Sequence, residues 1–317
     1  MAVSSTNTYT GKGIAESFED VIFDISPEDT PLLSMAKRMT AGQTYHQWQT
    51  DALAAAATNT QVEGDDGSFA TLAATTVLGN YTQISRKTVQ ISGTYDVVKK
   101  YGRKSEVAYQ LMKAGKELKR DMEYAIVRNQ ASSAGGAGTA RPSAGIESWI
   151  TNRVLATGST AGTTPGFSGG TVAAPTDGTS VTFIEADLKS ALQLAWAAGG
   201  ETSTILMSAT NKARFSVFAG VATKYNNVAN GSQGVIVGAA DVYVSDFGNH
   251  SVKLDRFMRD QAVLCLDSNY VGLASLRPME KQELAKTGDS SKWLLTTEYA
   301  LVVQNPSAHA KVQNVGV

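Results

Sequence analysis

RKSEVAYQLMKAGKELKRDMEYAIVRNQAS, residues 103–132, is the stretch that decides the fold. It has no proline and one glycine, and its many Lys, Glu, Leu, Met and Ala residues favour a helix. Apolar residues recur every three or four positions and so share one narrow stripe: Val107, Leu111, Ala114, Leu118, Met122 and Ala125. Charged residues cover the remaining surface: Lys113, Lys116, Lys119, Arg120 and Glu123. At 1.5 Å per residue the helix would be roughly 45 Å long, enough to form the spine of a domain. A long surface helix or half of a coiled coil would show the same stripe, although about three heptads are few for a coiled coil.

Charge is balanced over the whole chain but unevenly distributed along it. The 317 residues carry a formal net charge of −1, which argues against a protein that coats nucleic-acid phosphates. Residues 1–35 hold six acidic residues, among them Glu16, Glu19 and Asp20, against one lysine. Residues 81–128 hold eleven Lys and Arg against five acids. Either these are two solvated faces, or the acidic segment of one subunit meets the basic segment of another.

The single cysteine and the absence of a targeting segment indicate the cellular compartment in which the protein is made. Cys265 lies in an apolar run, which predicts a buried small side chain and excludes a disulfide framework. The N-terminus has no signal-peptide pattern, and no run approaches 18 apolar residues. We therefore expect a soluble protein made in a cytoplasm.

The N-terminal third predicts an amphipathic segment, a short helix and a long hairpin. Apolar residues at helical spacing recur within residues 14–25, and Thr30 followed by Pro31 predicts a helix that runs to about Met39. Residues 43–51 and 81–98 are rich in Tyr, Trp, Thr, Val and Ile and predict two strands. About thirty small and acidic residues separate them, including Glu63, Asp65 and Asp66. A hairpin that projects in this way needs a neighbour on which to lie.

The rest of the chain predicts loops followed by a mixed domain. Residues 131–182 are mostly Gly, Ala, Ser, Thr and Pro, and only residues 146–155 have the apolar side chains to pack. Thr182 and Glu185 form a capping-box pattern for a helix that stops at Gly199 and Gly200. Further elements are predicted as a helix over 211–219 and strands over 204–207, 235–237, 241–245, 251–254, 262–266, 293–304 and 311–315. Helices and strands alternate without a regular period, which indicates an α+β fold.

Motifs that carry chemistry elsewhere lack their context here. Residues 166–170 (GFSGG) match a nucleophile elbow, but that motif needs a strand, a tight turn and a helix, and a Gly/Thr/Pro loop surrounds Ser168. Residues 246–248 (DFG) are better explained as a turn between strands. The three histidines lie far apart, and Asp65 and Asp66 have no calcium-loop pattern around them. We expect no catalytic, cofactor or metal site; a hydrolase using Ser168 is the disfavoured alternative.

The order of the parts, an acidic arm, a projecting hairpin, a spine helix and an α+β domain, resembles the major capsid protein of tailed bacteriophages. That fold is shared with the floor of herpesvirus shells and with encapsulins. The strings similar to family segments are 25–32 (ISPEDTPL), 89–94 (VQISGT), 144–146 (AGI), 246–248 (DFG), 285–289 (AKTGD) and 298–309. The resemblance covers residues 14–315.

The resemblance implies a division of the chain. Residues 1–40 would be the N-terminal arm and residues 41–98 the extended E-loop. Residues 99–182 would give the spine helix and Gly/Ser/Thr-rich loops of the P-domain. Residues 183–290 would form mainly the A-domain, and residues 291–317 the strands that return to the P-domain.

The resemblance also implies a function. The chain would be a structural subunit, not an enzyme, that assembles as pentamers and hexamers into an icosahedral head around a double-stranded DNA genome, with each E-loop across a neighbour. An encapsulin-like compartment is the alternative. Expected partners are other copies, a separate scaffolding protein, a portal protein, decoration proteins and, without specificity, packaged DNA, but no membrane and no cofactor. Assembly would take place in the host bacterial cytoplasm.

Candidate residues for contacts between subunits follow from charge and placement. They are Glu16, Glu19, Asp20, Glu63, Asp65, Asp66, Arg86, Lys87, Lys113, Lys116, Lys119 and Arg120. Some relatives crosslink their shells through an E-loop lysine. Lys87 is the only lysine within residues 43–98 and lies near the base of the hairpin, so we do not expect crosslinking.

Overall fold

The computed structural model describes residues 29–67, 69, 72–101, 105–218 and 241–316. The acidic segment with Glu16, Glu19 and Asp20, and the strand expected over 235–237, lie outside the described residues. The described helices are α1 (Pro31–Met35), α2 (Gly93–Val97), α3 (Glu106–Val127), α4 (Ile146–Trp149), α5 (Glu185–Ala197) and α6 (Ala209–Phe215). The strands are β1 (Lys37–Thr40), β2 (Tyr45–Thr50), β3 (Thr76–Tyr81), β4 (Gln83–Ser92), β5 (Arg153–Leu155), β6 (Gly166–Ser168), β7 (Thr171–Ala173), β8 (Thr204–Met207), β9 (Val242–Ser245), β10 (Gly248–Leu254), β11 (Ala262–Leu266), β12 (Val271–Leu284), β13 (Ser290–Val303) and β14 (Ala310–Gln313).

Two sheets form the body of the subunit. The first has the strand order β1-β12-β13-β4, with β1 parallel to β12 and the other pairs antiparallel. The second has the order β5-β14-β11-β8-β10-β9. Two small hairpins, β2-β3 and β6-β7, complete the sheets of the described residues. The mixture of helices with mainly antiparallel sheets confirms the α+β prediction.

The spine helix is confirmed but is shorter than its propensity indicated. It spans 22 residues, about 33 Å, and the side chain of Ser105 caps it by accepting a hydrogen bond from the backbone N–H of Ala108 (3.3 Å). Ala114 and Leu118 of its buried stripe pack on Leu295 of β13 in the first sheet. The helix ends at Val127, and the residues after it bond outside the helix. The carbonyl of Gln130 accepts a hydrogen bond from the N–H of Gly145 (3.0 Å), and the N–H of Ser132 donates to the carbonyl of Val172 in β7 (2.9 Å).

A hairpin forms as predicted, but its second strand is not the one predicted. β2 pairs antiparallel with β3, from Tyr45 opposite Tyr81 to Thr50 opposite Thr76. The chain then leaves this hairpin, and β4 pairs with β13 in the first sheet. The strand predicted over 81–98 is therefore divided, and its end forms α2, whose first turn Ser92 caps. β4 joins β13 because its alternate residues, Val89 among them, pack against the spine helix.

Two other local predictions were wrong, and one long strand was not predicted. The helix expected to reach Met39 ends at Met35, since residues 37–40 pair with β12 instead. The Thr182–Glu185 capping box does not form: the N-cap of α5 is Ile184, and no side chain caps it. β12, a 14-residue strand, was not predicted, because its exposed half is charged and contains Pro278.

The core joins the two sheets. Trp149 and Ile150, the residues expected to pack within residues 131–182, are both fully buried in one cluster with Leu264 and Leu301. The expectation that only residues 146–155 of this stretch pack was wrong, because Val172 of β7 is buried in the same cluster. A second cluster lies between the six-stranded sheet and α5 and includes Cys265, so the predicted burial of that thiol is confirmed. Residues 182–198 follow their prediction otherwise, and Gly199 has a φ of +88° at the end of α5.

Candidate assembly surfaces

The loop between β2 and β3, residues 51–75, is the most exposed part of the described chain. At its described positions it forms no helix or strand, and every side chain is exposed. Four of those side chains are large and apolar: Leu53 (99% exposed), Val62, Phe69 and Leu72. Apolar surface concentrated in this way marks an interaction site in a soluble protein. We call residues 51–75 the exposed loop.

The acidic candidates lie within the exposed loop. Glu63, Asp65 and Asp66 surround a turn in which Asp65 donates its backbone N–H to the carbonyl of Val62 (3.2 Å). Gly64 adopts a φ of +85° there, a conformation that side chains disfavour. All three carboxylates face solvent, so they are available to a basic partner.

Two buried polar centres fix the base of this loop. At the first, Asn80, fully buried, donates from its amide to the carbonyl of Leu301 (2.8 Å) and to the hydroxyl of Ser143 (3.0 Å). Its amide oxygen accepts the backbone N–H of Ala144 (3.0 Å). One side chain thus ties β3 to β13 and to the loop before α4, and no part of the sequence around Asn80 indicated this role.

The second centre is the carboxylate of Glu298 on β13. It accepts hydrogen bonds from the hydroxyl of Thr82 (2.7 Å), from Arg141 (2.6 Å) and from Arg277 (2.9 Å). Burial would raise the pKa of Glu298, but the hydrogen bonds from Thr82 and Arg277 and the two positive charges outweigh it and hold the pKa below its usual value. The first residue after β3 is therefore anchored by an ion network, which sets the direction in which the exposed loop leaves the body.

The four basic candidates on α3 differ in exposure. Lys113, Lys116 and Lys119 are exposed. At 100° per residue, Lys113 and Lys116 lie on the opposite side of the helix from the buried Leu118. Arg120 is half-buried, with its guanidinium carbon 5.8 Å from the ring centre of Phe257.

The two basic candidates on β4 face opposite ways. Lys87 forms a salt bridge with Asp121 on α3 (2.7 Å), and so contributes to the packing of the helix on its own sheet. Arg86 is exposed on the other face of the strand. The structure does not bring these basic groups together with Glu63, Asp65 or Asp66 in one subunit.

Glu123 is the charged residue of the spine that sequence reasoning misplaced. It was expected on the exposed side, but it is fully buried. Its two carboxylate oxygens accept the backbone N–H groups of Leu32 and Leu33, each at 2.7 Å. The available signal was the pair Ile126 and Val127, which lie within about 60° of Glu123 around the helix and extend the apolar surface to its side.

A further buried network links the last strand to the loops before α5. Lys311, fully buried, donates to the backbone carbonyl of Glu147 (2.7 Å). Arg259 contacts the carboxylates of Glu147 (3.4 Å) and Asp177 (2.5 Å). Burial lowers the pKa of Lys311 to about 8. The negative charge of Glu147 opposes this fall, because it favours the ammonium form. The contacts of this network are internal ion pairs and hydrogen bonds that hold loops in place.

The motifs weighed for chemistry occupy structural positions. Ser168 ends the short strand β6 and is followed by the turn to β7, so it does not sit between a strand and a helix. His250 bonds to the carbonyl of Thr202 and the hydroxyl of Ser245, and His309 accepts the N–H of Asp267. Within the described ranges no group of three or more His, Cys, Asp or Glu side chains could hold a metal ion. The described helices are also too short or too polar to cross a membrane.

The described chain thus combines a long helix packed on a four-stranded sheet, a six-stranded sheet and an exposed loop on a fixed base, and capsid proteins of known structure share this fold. The capsid of a native GTA particle has a TM-score of 0.65 at 12% identity, covering 99% of this chain and 100% of that one. The structure of the Phage G major capsid and decoration proteins gives 0.55 at 9% identity, with 99% of each chain covered.

The chain belongs to the SU10 major capsid protein family, whose model matches residues 3–316. The major capsid protein of Escherichia phage Phieco32 is 29% identical, covering 95% of this chain and 94% of that protein. Membership in a family of phage capsid proteins confirms the expected class and gives the encapsulin-like alternative no support.

Proposed function

We propose that this protein assembles as pentamers and hexamers into the icosahedral head shell that encloses a phage double-stranded DNA genome. The observation that carries the proposal is the exposed loop: its apolar side chains have no cover within the described residues, while its base is rigidly anchored. A loop held in one direction with an apolar surface suits contact with an adjacent copy. The role is structural, and we infer no catalytic activity.

The proposed division of labour follows the family resemblance. Residues 1–40 act as the arm, 41–98 as the E-loop, 99–182 as the P-domain spine and its loops, 183–290 mainly as the A-domain, and 291–317 as strands returning to the P-domain. The observed sheets support a close connection between the second and last segments, since β4 and β13 pair from Ser291 opposite Ile91 to Tyr299 opposite Gln83.

Charge complementarity supports the arm contact. The arm candidates Glu16, Glu19 and Asp20 are acidic, and α3 carries the exposed Lys113 and Lys119. We propose that the arm of one subunit meets the spine helix of another, and that Glu63, Asp65 and Asp66 meet basic groups such as Arg86. Lys116 and Arg120 extend the same surface. Lys87 contributes to these contacts only indirectly, because its salt bridge with Asp121 helps to hold β4 on α3.

The remaining partners are also proposals. A separate scaffolding protein guides assembly in the host bacterial cytoplasm, a portal protein occupies one vertex, and decoration proteins bind the outer surface. Capsid and decoration proteins occur together in the Phage G structure. The formal charge of −1 agrees with a shell that contacts packaged DNA without sequence specificity.

Electron microscopy of the expressed protein, with its scaffolding protein added, tests the proposal. We expect closed shells from the natural chain and unassembled subunits from the double variant Phe69→Ser with Leu72→Ser. The matched control, Ala54→Ser with Ala57→Ser, alters small exposed residues of the same loop and should assemble. Monomers of the natural chain under every assembly condition would contradict the proposed function.

A charge-swap experiment tests the arm contact by itself. Reversal of Glu16, Glu19 and Asp20 to lysine should lower the assembly yield and reduce its dependence on salt. Adding Lys113→Glu and Lys119→Glu should restore part of the yield. If the arm variant assembles like the natural chain at every salt concentration, the arm contact is wrong while the shell function stands.

A further inference from the structure

The carboxyl groups of Glu123 and Asp255 meet inside the subunit. Glu123 lies near the end of α3, and Asp255 follows β10 in the connection to β11, residues 255–261. Both side chains are buried, with exposures of 0% and 1%, and their carboxyl groups lie within reach of a hydrogen bond to each other. Two carboxyl groups can share such a bond only when one of them is protonated.

Each carboxyl group is held by backbone N–H donors from a different side. Glu123 accepts from Leu32 and Leu33 in α1. One oxygen of Asp255 accepts from Phe257 (2.8 Å), and within the described residues its other oxygen has no hydrogen-bond donor apart from the shared proton. The shared proton therefore links the spine helix to Asp255 of the β10–β11 connection.

The cations nearby are engaged elsewhere. Arg128, the residue after α3, donates to the carbonyl of Phe257 (2.9 Å) and to the hydroxyl of Tyr124 (2.8 Å), and Arg120 of α3 lies over the ring of Phe257. On the α1 side, Arg38 donates to the carbonyl of Leu33 (3.2 Å). Arg256 in the connection itself is exposed. A second negative charge at the pair would thus lack a bonded cation.

The environment assigns the proton to Glu123. Burial raises the pKa of Glu123 to about 8, and the charge of Asp255 adds to that effect. Burial also raises the pKa of Asp255, but the N–H groups of Phe257 and Met258 and the charge of Arg128 oppose the rise. Asp255 therefore ionises first, and Glu123 keeps the shared proton at neutral pH.

We propose that the Glu123–Asp255 pair is a proton-operated latch that holds the β10–β11 connection on the spine helix and opens when the proton is lost. The ionised Glu123 still accepts from Leu32 and Leu33, so α1 stays in place while the connection carrying Asp255 is repelled. The latch joins the spine helix of one sheet to a connection within the other. Loss of its proton therefore weakens one of the contacts that hold the two sheets together.

The latch is a property of the single subunit. Its consequence for a shell, a joint between sheets that loosens in alkali, rests on the proposed function. The test below uses unassembled full-length protein, so its failure leaves the capsid role unaffected.

Hydrogen–deuterium exchange followed by mass spectrometry measures the opening. Opening releases one proton below pH 8, so exchange of residues 255–260, corrected for the intrinsic rate, should rise about tenfold per pH unit from pH 6 to 8 and level off above that. Peptides from β11 should not change, which separates local opening from unfolding. A flat profile for residues 255–260 between pH 6 and 8 would overturn the latch.

Two variants remove the second charge and should abolish the pH dependence. In Asp255→Asn the amide can donate to Glu123, and the remaining oxygen can still accept from Phe257. Glu123→Gln provides an independent check if the first variant is unstable. Asp246→Asn, at an exposed turn, is the control and should keep the natural profile. A tenfold slope that persists in both latch variants would also overturn the proposal.

Discussion

The exposed loop and its base invert the usual distribution of polar and apolar groups. At the base, Asn80 and Glu298 are buried, yet their polar atoms are bonded within the subunit. In the exposed loop, Leu53 and Leu72 are apolar, yet they face solvent. Changes at the base should therefore reduce the stability of the single subunit, whereas changes in the exposed loop should act on association between subunits.

The largest loss of subunit stability is expected for Asn80→Ala. The substitution leaves the carbonyl of Leu301 and the N–H of Ala144 buried without this partner, and should lower the free energy of unfolding by about 2–4 kcal/mol. Urea denaturation of the unassembled protein measures it. The same substitution in the exposed loop, Asn59→Ala, should change stability by less than about 0.5 kcal/mol. Equal losses at both positions would remove the distinction between base and loop.

A smaller loss, about 1–3 kcal/mol, is expected for Glu298→Gln, which leaves Arg141 and Arg277 without their carboxylate. The natural carboxylate has a lowered pKa, so its contribution is complete above the usual carboxyl range and is lost as the pH falls through the folded value. The variant should therefore show a weaker fall of stability in acid. Glu63→Gln in the exposed loop is the control, and it should leave both stability and its acid dependence unchanged.

The salt bridge between Lys87 and Asp121 should matter less than either base residue. Both side chains are partly exposed, at 32% and 52%, and exposed ion pairs contribute about 0–1 kcal/mol. Lys87→Met should thus shift the unfolding midpoint only slightly, and added salt should reduce the difference from the natural chain. A loss as large as that of Glu298→Gln would show that this pair is a main anchor of the spine.

The smallest effect on the subunit is expected for Phe69→Ser with Leu72→Ser, the variant that should prevent assembly. Both side chains are exposed, so their replacement should change the free energy of unfolding by less than about 0.5 kcal/mol. Thermal unfolding followed by circular dichroism checks this. A large loss of stability would show that the exposed loop packs on its own subunit, and the comparison would then fail.

Local sequence patterns were sufficient for several elements and for the existence of the exposed loop. The spine stripe, the end of α5 at Gly199 and the burial of Trp149 depend on residues close in the chain, where periodicity and turn chemistry act directly. The exposed loop was predicted because small and acidic residues separate two strands. The ion network at the base of this loop was not predicted, because Arg141 and Glu298 are 157 residues apart in the sequence.

Sequence by itself determined that this chain has an amphipathic spine, a projecting loop and an α+β body. Each of these features depends on the spacing of apolar residues and on the composition of short segments. Only the tertiary structure decided that β4 leaves the hairpin to pair with β13, that β12 forms beside it, and that Glu123 turns inward to Asp255. These outcomes depend on partners distant in sequence. Pairing and burial are contributed by both partners, so neither segment alone specifies them.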